Sequence, residues 1–283
     1  MTIALREATP DDAEVAGRIC YEAFRAINEA HGFPPDIPSR EAGVAVLESM
    51  IAHPRMHVVV AEQDGRVVGS NCLDERSEIA GVGPITVDPS VQNAGVGRRL
   101  MRHVIERGTR FGGVRLVQAA FHNRSLSLYT KLGFDPVEPL SCVQGTPLRR
   151  ALPGVEVRPA TRDDQAACDA VCREVHGHTR GGELADAIAR GHARVALRDG
   201  EICGYATFVG FFGHAVGRRD EDIMALVAAA PAFLGPGFLV PTRNARLLRW
   251  CLDQGLRIEQ PLTLMAMGRY QEPRGAWLAS IGY

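Results

Sequence analysis

The pattern of apolar and polar positions in the first half of the chain predicts two strands that each lead into a helix. An apolar run over residues 82–89 predicts a strand, and the glycine-rich residues 92–100 behind it predict a turn that opens a helix. A second run, 114–120, is rich in branched apolar residues and predicts another strand. Alternating strands and helices of this kind are typical of the mixed α/β (α+β) class.

The helix predicted after the second strand has two distinct faces. Leu128 and Leu132 share one face, and Ser125 and Tyr129 share another, so Tyr129 is predicted to point away from the core. Gly133 suits the position just beyond the helix, where the backbone turns left-handed.

An uncharged stretch at residues 223–241 approaches the length of a membrane span. Two prolines and two glycines between positions 231 and 237 interrupt it. This favours a helix to about Ala230, a turn, and a strand at 238–240, so no spanning helix is predicted.

The glycine turn at 92–100 has the chemistry of a diphosphate site. The first N–H groups of a helix have no intrahelical partner and attract anions. Gly95 and Gly97 lack a Cβ, so a diphosphate can approach their backbone, and Arg98, Arg99 and Arg102 follow with positive charge. The turn therefore predicts a site for a phosphate-bearing ligand.

Two common phosphate loops do not fit this turn. The P-loop needs a lysine directly after its second glycine, and the chain's one lysine is Lys131. The dinucleotide fingerprint needs a small third residue, where this chain has Leu100.

A third pattern does fit. Gln92, Gly95 and Gly97 resemble, position by position, the acetyl-coenzyme A signature Q/R-x-x-G-x-G/A of the GNAT superfamily of N-acetyltransferases. The later segment is similar to the family's second motif, in which an asparagine, here Asn123, precedes a short helix with a tyrosine, here Tyr129, and then leucine, glycine and phenylalanine. The resemblance implies an N-acetyltransferase that moves an acetyl group from acetyl-CoA to a primary amine by direct transfer.

The resemblance also implies where acetyl-CoA would bind. In the family, two strands splay apart and their free backbone groups hold the pantetheine arm. Gly83 and Pro84 fit such a break, since proline cannot donate to a ladder. The implied coenzyme-binding residues are Ile85, Thr86 and Val87 in the strand, Gln92, Asn93, Ala94, Gly95, Val96, Gly97 and Arg98 in the loop, and Asn123.

Tyr129 is the candidate catalytic residue, because a tyrosine at this place in the family motif would face the departing sulfur. A tyrosine packed on the sheet is the alternative. Asn123 would contact the coenzyme arm, or cap the helix that follows it, or both.

The general base is not assigned by the sequence. Residues 82–87 contain no carboxylate, which leaves Asp74, Glu75, Glu78 and His122 as candidates, with an ordered water chain equally open. The acceptor also stays open: it is a small-molecule or peptide amine.

The two halves of the chain resemble each other. Residues 3–12 align without gaps on 155–164, and Asp-Gly hairpin turns follow at 64–69 and 199–204. Later, Asn244 with Trp250 repeats the interval of the first half's asparagine and tyrosine.

These repeats predict two tandem GNAT-like domains, each with a mixed, splayed sheet flanked by helices. The first, residues 1–152, would be catalytic and bind acetyl-CoA, and the second, residues 153–283, would be degenerate. In the second, residues 217–223 lack the glycine pair and carry three carboxylates that would repel phosphate. Trp250 would stand in for the tyrosine and cannot deliver a proton at ordinary pH.

The degenerate half is predicted to shape the substrate cleft. Residues 267–283 are a candidate lining, with an edge strand and a loose tail as the alternative.

Composition adds only bounds. The 283 residues carry a formal net charge of −1, which suggests neither a nucleic-acid nor a membrane partner. Seven irregularly spaced cysteines suggest reduced thiols in the cytoplasm, and Cys168 and Cys172 near two histidines are more typical of helix packing than of a metal site, so no metal is predicted. The N-terminus lacks the apolar core of a signal peptide. Oligomeric state is not indicated.

Two alternative functions remain besides the enzyme. One is a non-catalytic acetyl-CoA-binding sensor, which would bind the coenzyme without turnover. The other is a structural or interaction protein, which would not bind the coenzyme.

Overall fold

The computed structural model describes residues 3–91 and 95–283 and contains two open sheets flanked by helices. This confirms the predicted α/β class.

The helices of the described residues are α1 (Ala13–Ala30), α2 (Arg40–Ile51), α3 (Val96–Gly108), α4 (Asn123–Lys131), α5 (Gln165–His176), α6 (Gly181–Ala189), α7 (Asp220–Ala229) and α8 (Ala245–Asp253). The strands are β1 (Ile3–Glu7), β2 (Met56–Gln63), β3 (Arg66–Asp74), β4 (Ala80–Val82), β5 (Thr86–Val87), β6 (Gly113–Ala119), β7 (Asp135–Gln144), β8 (Glu156–Pro159), β9 (Arg194–Arg198), β10 (Glu201–Ala206), β11 (Ala215–Gly217), β12 (Phe238–Pro241), β13 (Arg257–Gly268) and β14 (Ala276–Leu278).

Helix α3, which opens at the glycine turn, is anchored by one apolar face. Val96, Leu100 and Val104 recur at every fourth position and are fully or almost fully buried. They belong to one core cluster with residues of β2, β3 and β6. The start of α3 is therefore held firmly against the sheet.

The apolar run at 82–89 forms two short strands instead of one. Strand β4 ends at Val82 and pairs in parallel with β6 at Ala80 and Gly81. Strand β5 begins at Thr86 and pairs with β3. The predicted break at Gly83 and Pro84 is thus confirmed. Before the break, β4 pairs with β6, and after it, β5 pairs with β3.

The larger sheet is built from both halves of the sequence. Its strand order is β1-β2-β3-β4-β6-β13-β7-β12, with β5 beside β3. Strand β13 lies between β6 and β7, and it pairs antiparallel with β6 through Leu262 to Gly268 and with β7 through Arg257 to Ala266. Strand β7 in turn pairs with β12. Each half therefore contributes a strand that the other half needs to continue its sheet.

The smaller sheet has the order β14-β11-β10-β9-β8 and contains only C-terminal strands. Strand β14 pairs with β11, and the residue after it, Ala279, forms a bridge to Leu239 of β12. Residues 276–279 consequently lie between β11 and β12.

Both predicted Asp-Gly hairpins are confirmed. Strands β2 and β3 are joined by Asp64 and Gly65, and β9 and β10 by Asp199 and Gly200, with positive φ at all four residues. Paired left-handed residues give the tight turn that matches strand twist.

Strand β11 of the second half is short and begins only at Ala215. Residues 207–214 form a loop closed by hydrogen bonds between Thr207 and His214. Gly213 packs so closely on Phe208 that a Cβ would lie 2.2 Å from its carbonyl oxygen, which favours a fold-back over an extended strand.

The uncharged stretch at 223–241 is resolved as predicted, into the end of α7, a turn, and β12. Among the described residues, no helix has the length and apolar character needed to cross a bilayer.

Candidate active site

The N-terminus of α3 carries the phosphate-site features expected of the glycine turn. Gly95 precedes the helix with φ of 83°, a left-handed conformation that favours glycine. The Arg99 N–H bonds back to the Gly95 carbonyl at 3.2 Å, so the N–H groups of Val96, Gly97 and Arg98 precede the helical ladder. The predicted loop residues Gln92, Asn93 and Ala94 lie outside the described part of the chain.

These N–H groups border a cavity of about 610 Å³, here called the donor cavity. Its walls are β5 with Ile85, the start of α3, and α4. It is lined by the predicted residues Ile85, Thr86, Val87, Gly95, Val96, Gly97, Arg98 and Tyr129. Most of the predicted coenzyme residues are therefore brought to one cavity.

Gly97 lines the donor cavity, and its neighbours leave room for one Cβ atom. A Cβ there would lie 3.7 Å from Val87 and 3.9 Å from Leu128, which is ordinary contact. An alanine fits, while a longer side chain must extend into the cavity or displace these neighbours.

Positive charge at the donor cavity comes partly from unexpected residues. Arg98 lines it as predicted, whereas the Arg99 guanidinium donates to the Ile3 carbonyl. Arg124 and Lys131 of α4 also line it. The sequence pattern missed these two because they become neighbours of the glycine turn only when α4 packs beside α3.

Asn123 lies elsewhere. It is exposed, it is the first residue of α4, and it lines neither the donor cavity nor the cavity behind Tyr129. The residue before the helix is His122, whose carbonyl accepts the N–H groups of Ser125 and Leu126. A coenzyme contact by Asn123 stays a prediction.

Tyr129 is placed differently from the expectation that it points away from the core. It is the buried residue of α4, with 8% of its surface exposed, and its ring meets that of Phe134 edge-on at 6.4 Å. The face of α4 that carries Tyr129 lines the donor cavity and the cavity behind it, so the Tyr129 side chain is buried although it lies on a different face from Leu128. Burial raises the pKa of the Tyr129 hydroxyl well above its usual value, so it stays protonated.

Behind Tyr129 lies a second cavity of about 150 Å³, here called the inner cavity. It shares Tyr129, Ile85, His122 and Ser125 with the donor cavity. Its walls include Phe24, Ile27, Val46, Met50, Val82 and Leu116 from the first half, and Phe211, Phe212, Leu262, Ile281 and Gly282 from the second. The two cavities meet at Tyr129.

A third space of about 360 Å³, the outer cleft, adjoins the inner cavity on the side away from the donor cavity. The two share Val46, Met50, Gly83, Phe212 and Gly282. The outer cleft is lined by charged groups of both halves, among them Asp74, Arg76, Glu183, Asp186 and Arg190. The inner cavity therefore adjoins the donor cavity on one side and a cleft lined by both halves on another.

The predicted lining by the C-terminal segment is found at Ile281 and Gly282. The alternative of a loose tail does not hold. Residues 276–280 are buried, and the Tyr283 hydroxyl is hydrogen-bonded to His178 Nε2 at 2.7 Å. An edge strand, the other part of that alternative, is present as β14.

The four candidate bases separate clearly in space. Glu75 is paired with Arg107 and Arg110, and Glu78 accepts hydrogen bonds from Thr179. Asp74 lines the outer cleft and is paired with Arg76 at 2.5 Å. His122 alone among these four borders the meeting point of the two cavities.

The His122 environment suits an unprotonated imidazole. Burial, followed by the charges of Arg124 and His31, lowers the pKa of this histidine. A neutral ring nitrogen can accept a proton.

In the second half, the corresponding interval between two strands is occupied by the chain itself. Residues 276–279 fill the interval between β11 and β12. At the start of α7, Asp222 is fully buried and accepts from Arg198 at 2.6 Å and from the Arg219 N–H at 2.9 Å. The three carboxylates that the sequence places here, Asp220, Glu221 and Asp222, stand in the first turn of α7.

The seven cysteines are all buried and unpaired. Across residues 3–91 and 95–283, no three His, Cys, Asp or Glu side chains come together as a group that could hold a metal ion.

Comparison with known proteins supports the resemblance found in the sequence. Residues 20–134 match the model of the acetyltransferase (GNAT) family. The chain is similar to the mycothiol acetyltransferase of Nocardia farcinica (strain IFM 10152), with 39% identity over 67 residues, a segment that covers 22% of each protein. These matches support a GNAT acetyltransferase domain in the first half, and with it an acyltransferase.

Solved structures match the fold over nearly the whole chain. A proposed acetyltransferase from Pyrococcus horikoshii superposes with a TM-score of 0.75 at 20% identity, covering 97% of this chain and 94% of that one. A GCN5-related N-acetyltransferase from Sphaerobacter thermophilus gives a TM-score of 0.58 at 18% identity, covering 95% and 96%. At these identities the likeness concerns the fold.

Proposed function

We propose that this protein transfers an acetyl group from acetyl-CoA to a primary amine by direct transfer. The observation that carries the proposal is that the donor cavity at the N-terminus of α3 and the inner cavity share Tyr129 in their walls. Direct transfer needs a donor site and an acceptor site that adjoin at the reacting carbonyl, and the shared wall at Tyr129 supports such an arrangement.

The residues present fit acetyl-CoA. Free N–H groups of Val96, Gly97 and Arg98 suit a diphosphate, with Arg124 and Lys131 nearby. The backbone of Pro84 and Ile85 lies between β4 and β5, where the chain leaves its pairing with β6, and it suits the amide groups of a pantetheine arm. Gln92, Asn93, Ala94 and Asn123 remain predicted contacts.

Tyr129 is proposed to assist the departing sulfur. Its hydroxyl is protonated and buried, and a hydrogen bond to developing thiolate charge strengthens in a water-poor cleft. Its raised pKa makes complete proton transfer to a thiolate uphill, so hydrogen bonding is the larger contribution. His122, or water held near it, is proposed to take the amine's proton.

We infer further that the chain is a tandem duplication with domains at 1–152 and 153–283. The Arg6–Asp12 ion pair of the first half recurs as Arg158–Asp164 in the second, each beside a threonine-led 3₁₀ turn. The hairpins recur as well. The second domain is proposed to shape the acceptor side through residues such as Phe212 and Ile281.

Because residues 276–279 fill the interval between β11 and β12, and three carboxylates stand in the first turn of α7, one coenzyme per chain is expected. Buried, unpaired thiols suit a reducing compartment, from which we infer a cytoplasmic protein.

The proposal is tested by calorimetry with acetyl-CoA and by mass spectrometry of an amine panel after incubation. We expect one site per chain, and Gly97→Glu should weaken binding at least about tenfold, or 1.4 kcal/mol, because it adds bulk and negative charge at the diphosphate. Gly97→Ala, whose Cβ fits, is the control for folding and should bind nearly as the parent protein does.

Two results would contradict the proposal. Two equivalent acetyl-CoA sites per chain, or unchanged acetyl-CoA affinity in Gly97→Glu, would contradict a coenzyme site at the N-terminus of α3. Binding without any acetylated product would favour the acetyl-CoA sensor instead.

A further inference from the structure

One carboxylate at the inner cavity has no role in the chemistry described above. Asp36 lies in the segment between α1 and α2 and lines this cavity. Its Oδ1 accepts from the Gln260 amide at 2.8 Å, and Gln260 belongs to β13 of the second half. No basic side chain of the described residues forms an ion pair with Asp36. Burial raises the pKa of its carboxyl, and hydrogen bonds from Gln260 and Asn28 act in the opposite direction, so a bound cation would supply the counterion that the ionised carboxylate lacks.

The surroundings of Asp36 add further unmatched acceptors. Asn28 and Gln118 also line the inner cavity and are almost wholly buried. The Asn28 amide donates to the Pro34 carbonyl at 2.9 Å, and the Gln118 amide donates to the His122 carbonyl and the Ser125 hydroxyl, both at 3.0 Å. These donors fix the orientation of both amides. The oxygens of Asn28, Gln118 and Gln260 are left without a hydrogen-bond partner.

Buried acceptors without donors are costly, and in native proteins they mark places where a ligand or water is missing. Apart from His122, Ser125 and Tyr129, the remaining wall is apolar, with Phe24, Ile27 and Met50 among its residues. An uncompensated carboxylate in an apolar cavity fits an aliphatic chain that ends in a cation.

That cation is not the nitrogen that attacks the thioester. A carboxylate stabilises an ammonium, whereas the attacking nitrogen must be neutral. The acceptor therefore needs two nitrogens, one charged and one neutral.

We propose that the acceptor is an aliphatic amine with a second, cationic nitrogen, which Asp36 binds while the reacting amine faces Tyr129. This rests on the proposed function. Asp36 is a specificity residue in this arrangement, and the second half contributes through Gln260, which holds the carboxylate in place.

The test uses the full chain and matched pairs of amines, 1,3-diaminopropane to 1,5-diaminopentane against the monoamines of equal carbon number. With acetyl-CoA, we expect kcat/KM to favour the best diamine over its monoamine by at least about tenfold, the size of one charge-assisted contact. Asp36→Asn should remove this preference, mainly through KM for the diamine. Asp11→Asn, at an exposed site, is the control and should keep it.

Calorimetry of the diamines without acetyl-CoA separates this proposal from the proposed function. Binding that weakens about tenfold in Asp36→Asn supports the acceptor site, even if no acetylated product forms. Equal kcat/KM for diamines and monoamines in the parent protein would overturn the proposal. The proposal would also be overturned if Asp36→Asn lowered kcat equally for diamines and monoamines and shifted the pH profile, since that result would make Asp36 the general base.

Discussion

Separating the two halves should unfold the first one, because its sheet is completed by the second. In a fragment of residues 1–152, strand β6 loses β13 and strand β7 loses both β13 and β12, which leaves one edge of β6 and both edges of β7 unpaired. We expect this fragment to aggregate or to remain largely unfolded.

The expected loss can be estimated from the side chains that β13 buries. Leu262, Leu264 and Met265 are at most 3% exposed. At about 1.5–3 kcal/mol for each buried side chain, these three contribute roughly 5–9 kcal/mol. That is comparable to the whole stability of a typical domain, about 5–15 kcal/mol.

The assay compares the fragment, the full chain, and residues 1–152 co-expressed with 153–283, by gel filtration, thermal unfolding and coenzyme binding. Co-expression should restore the complex. Within the intact chain, Leu264→Ala should cost about 2–5 kcal/mol, whereas Ile258→Ala, at an exposed position of the same strand, should change stability by less than about 0.5 kcal/mol. A fragment 1–152 that is soluble, monomeric and cooperatively folded, and that acetylates the natural amine at the full rate, would refute the reasoning.

Two further predictions concern catalysis and acid stability. Tyr129→Phe should lower kcat on the order of 10²-fold with little change in KM for acetyl-CoA, because the lost hydrogen bond acts on the transition state; steady-state kinetics measure this. Asp12→Asn should destabilise the protein by about 1–2 kcal/mol at neutral pH, since Arg6 and Thr9 hold the pKa of Asp12 at about 2 in the folded protein. A lowered pKa stabilises the fold above the unfolded value of ~3.9, so the difference from the parent should shrink as pH falls from about 4 to 2 in urea unfolding.

The controls for these variants, Tyr21 and Asp11, line none of the three cavities. Tyr21→Phe should leave kcat unchanged, and parental turnover in Tyr129→Phe would make Tyr129 a packing residue. Asp11→Asn should be neutral at every pH. A gap between Asp12→Asn and the parent protein that stays constant down to pH 2 would contradict the role of the Arg6–Asp12 pair.

The sequence by itself determined the local features of this protein. The period of the apolar positions and the placement of glycine and proline predicted several elements: β6, α4, the Asp-Gly hairpins, the break at Pro84 and the end of α7. These features depend on backbone geometry within a few residues. The resemblance to the family's motifs likewise identified residues that the structure gathers around the donor cavity.

Tertiary structure alone decided the rest. Nothing local in residues 257–268 shows that they pair with β6 and β7, since strand partners are chosen by packing across a long sequence separation. Asp36 lies in no recognisable motif. Its proposed role depends on hydrogen bonds from Gln260 and Asn28, which come near it only after folding. Tyr129 lines both cavities, but the expectation that it points away from the core was wrong, because helical periodicity defines faces and not what covers them.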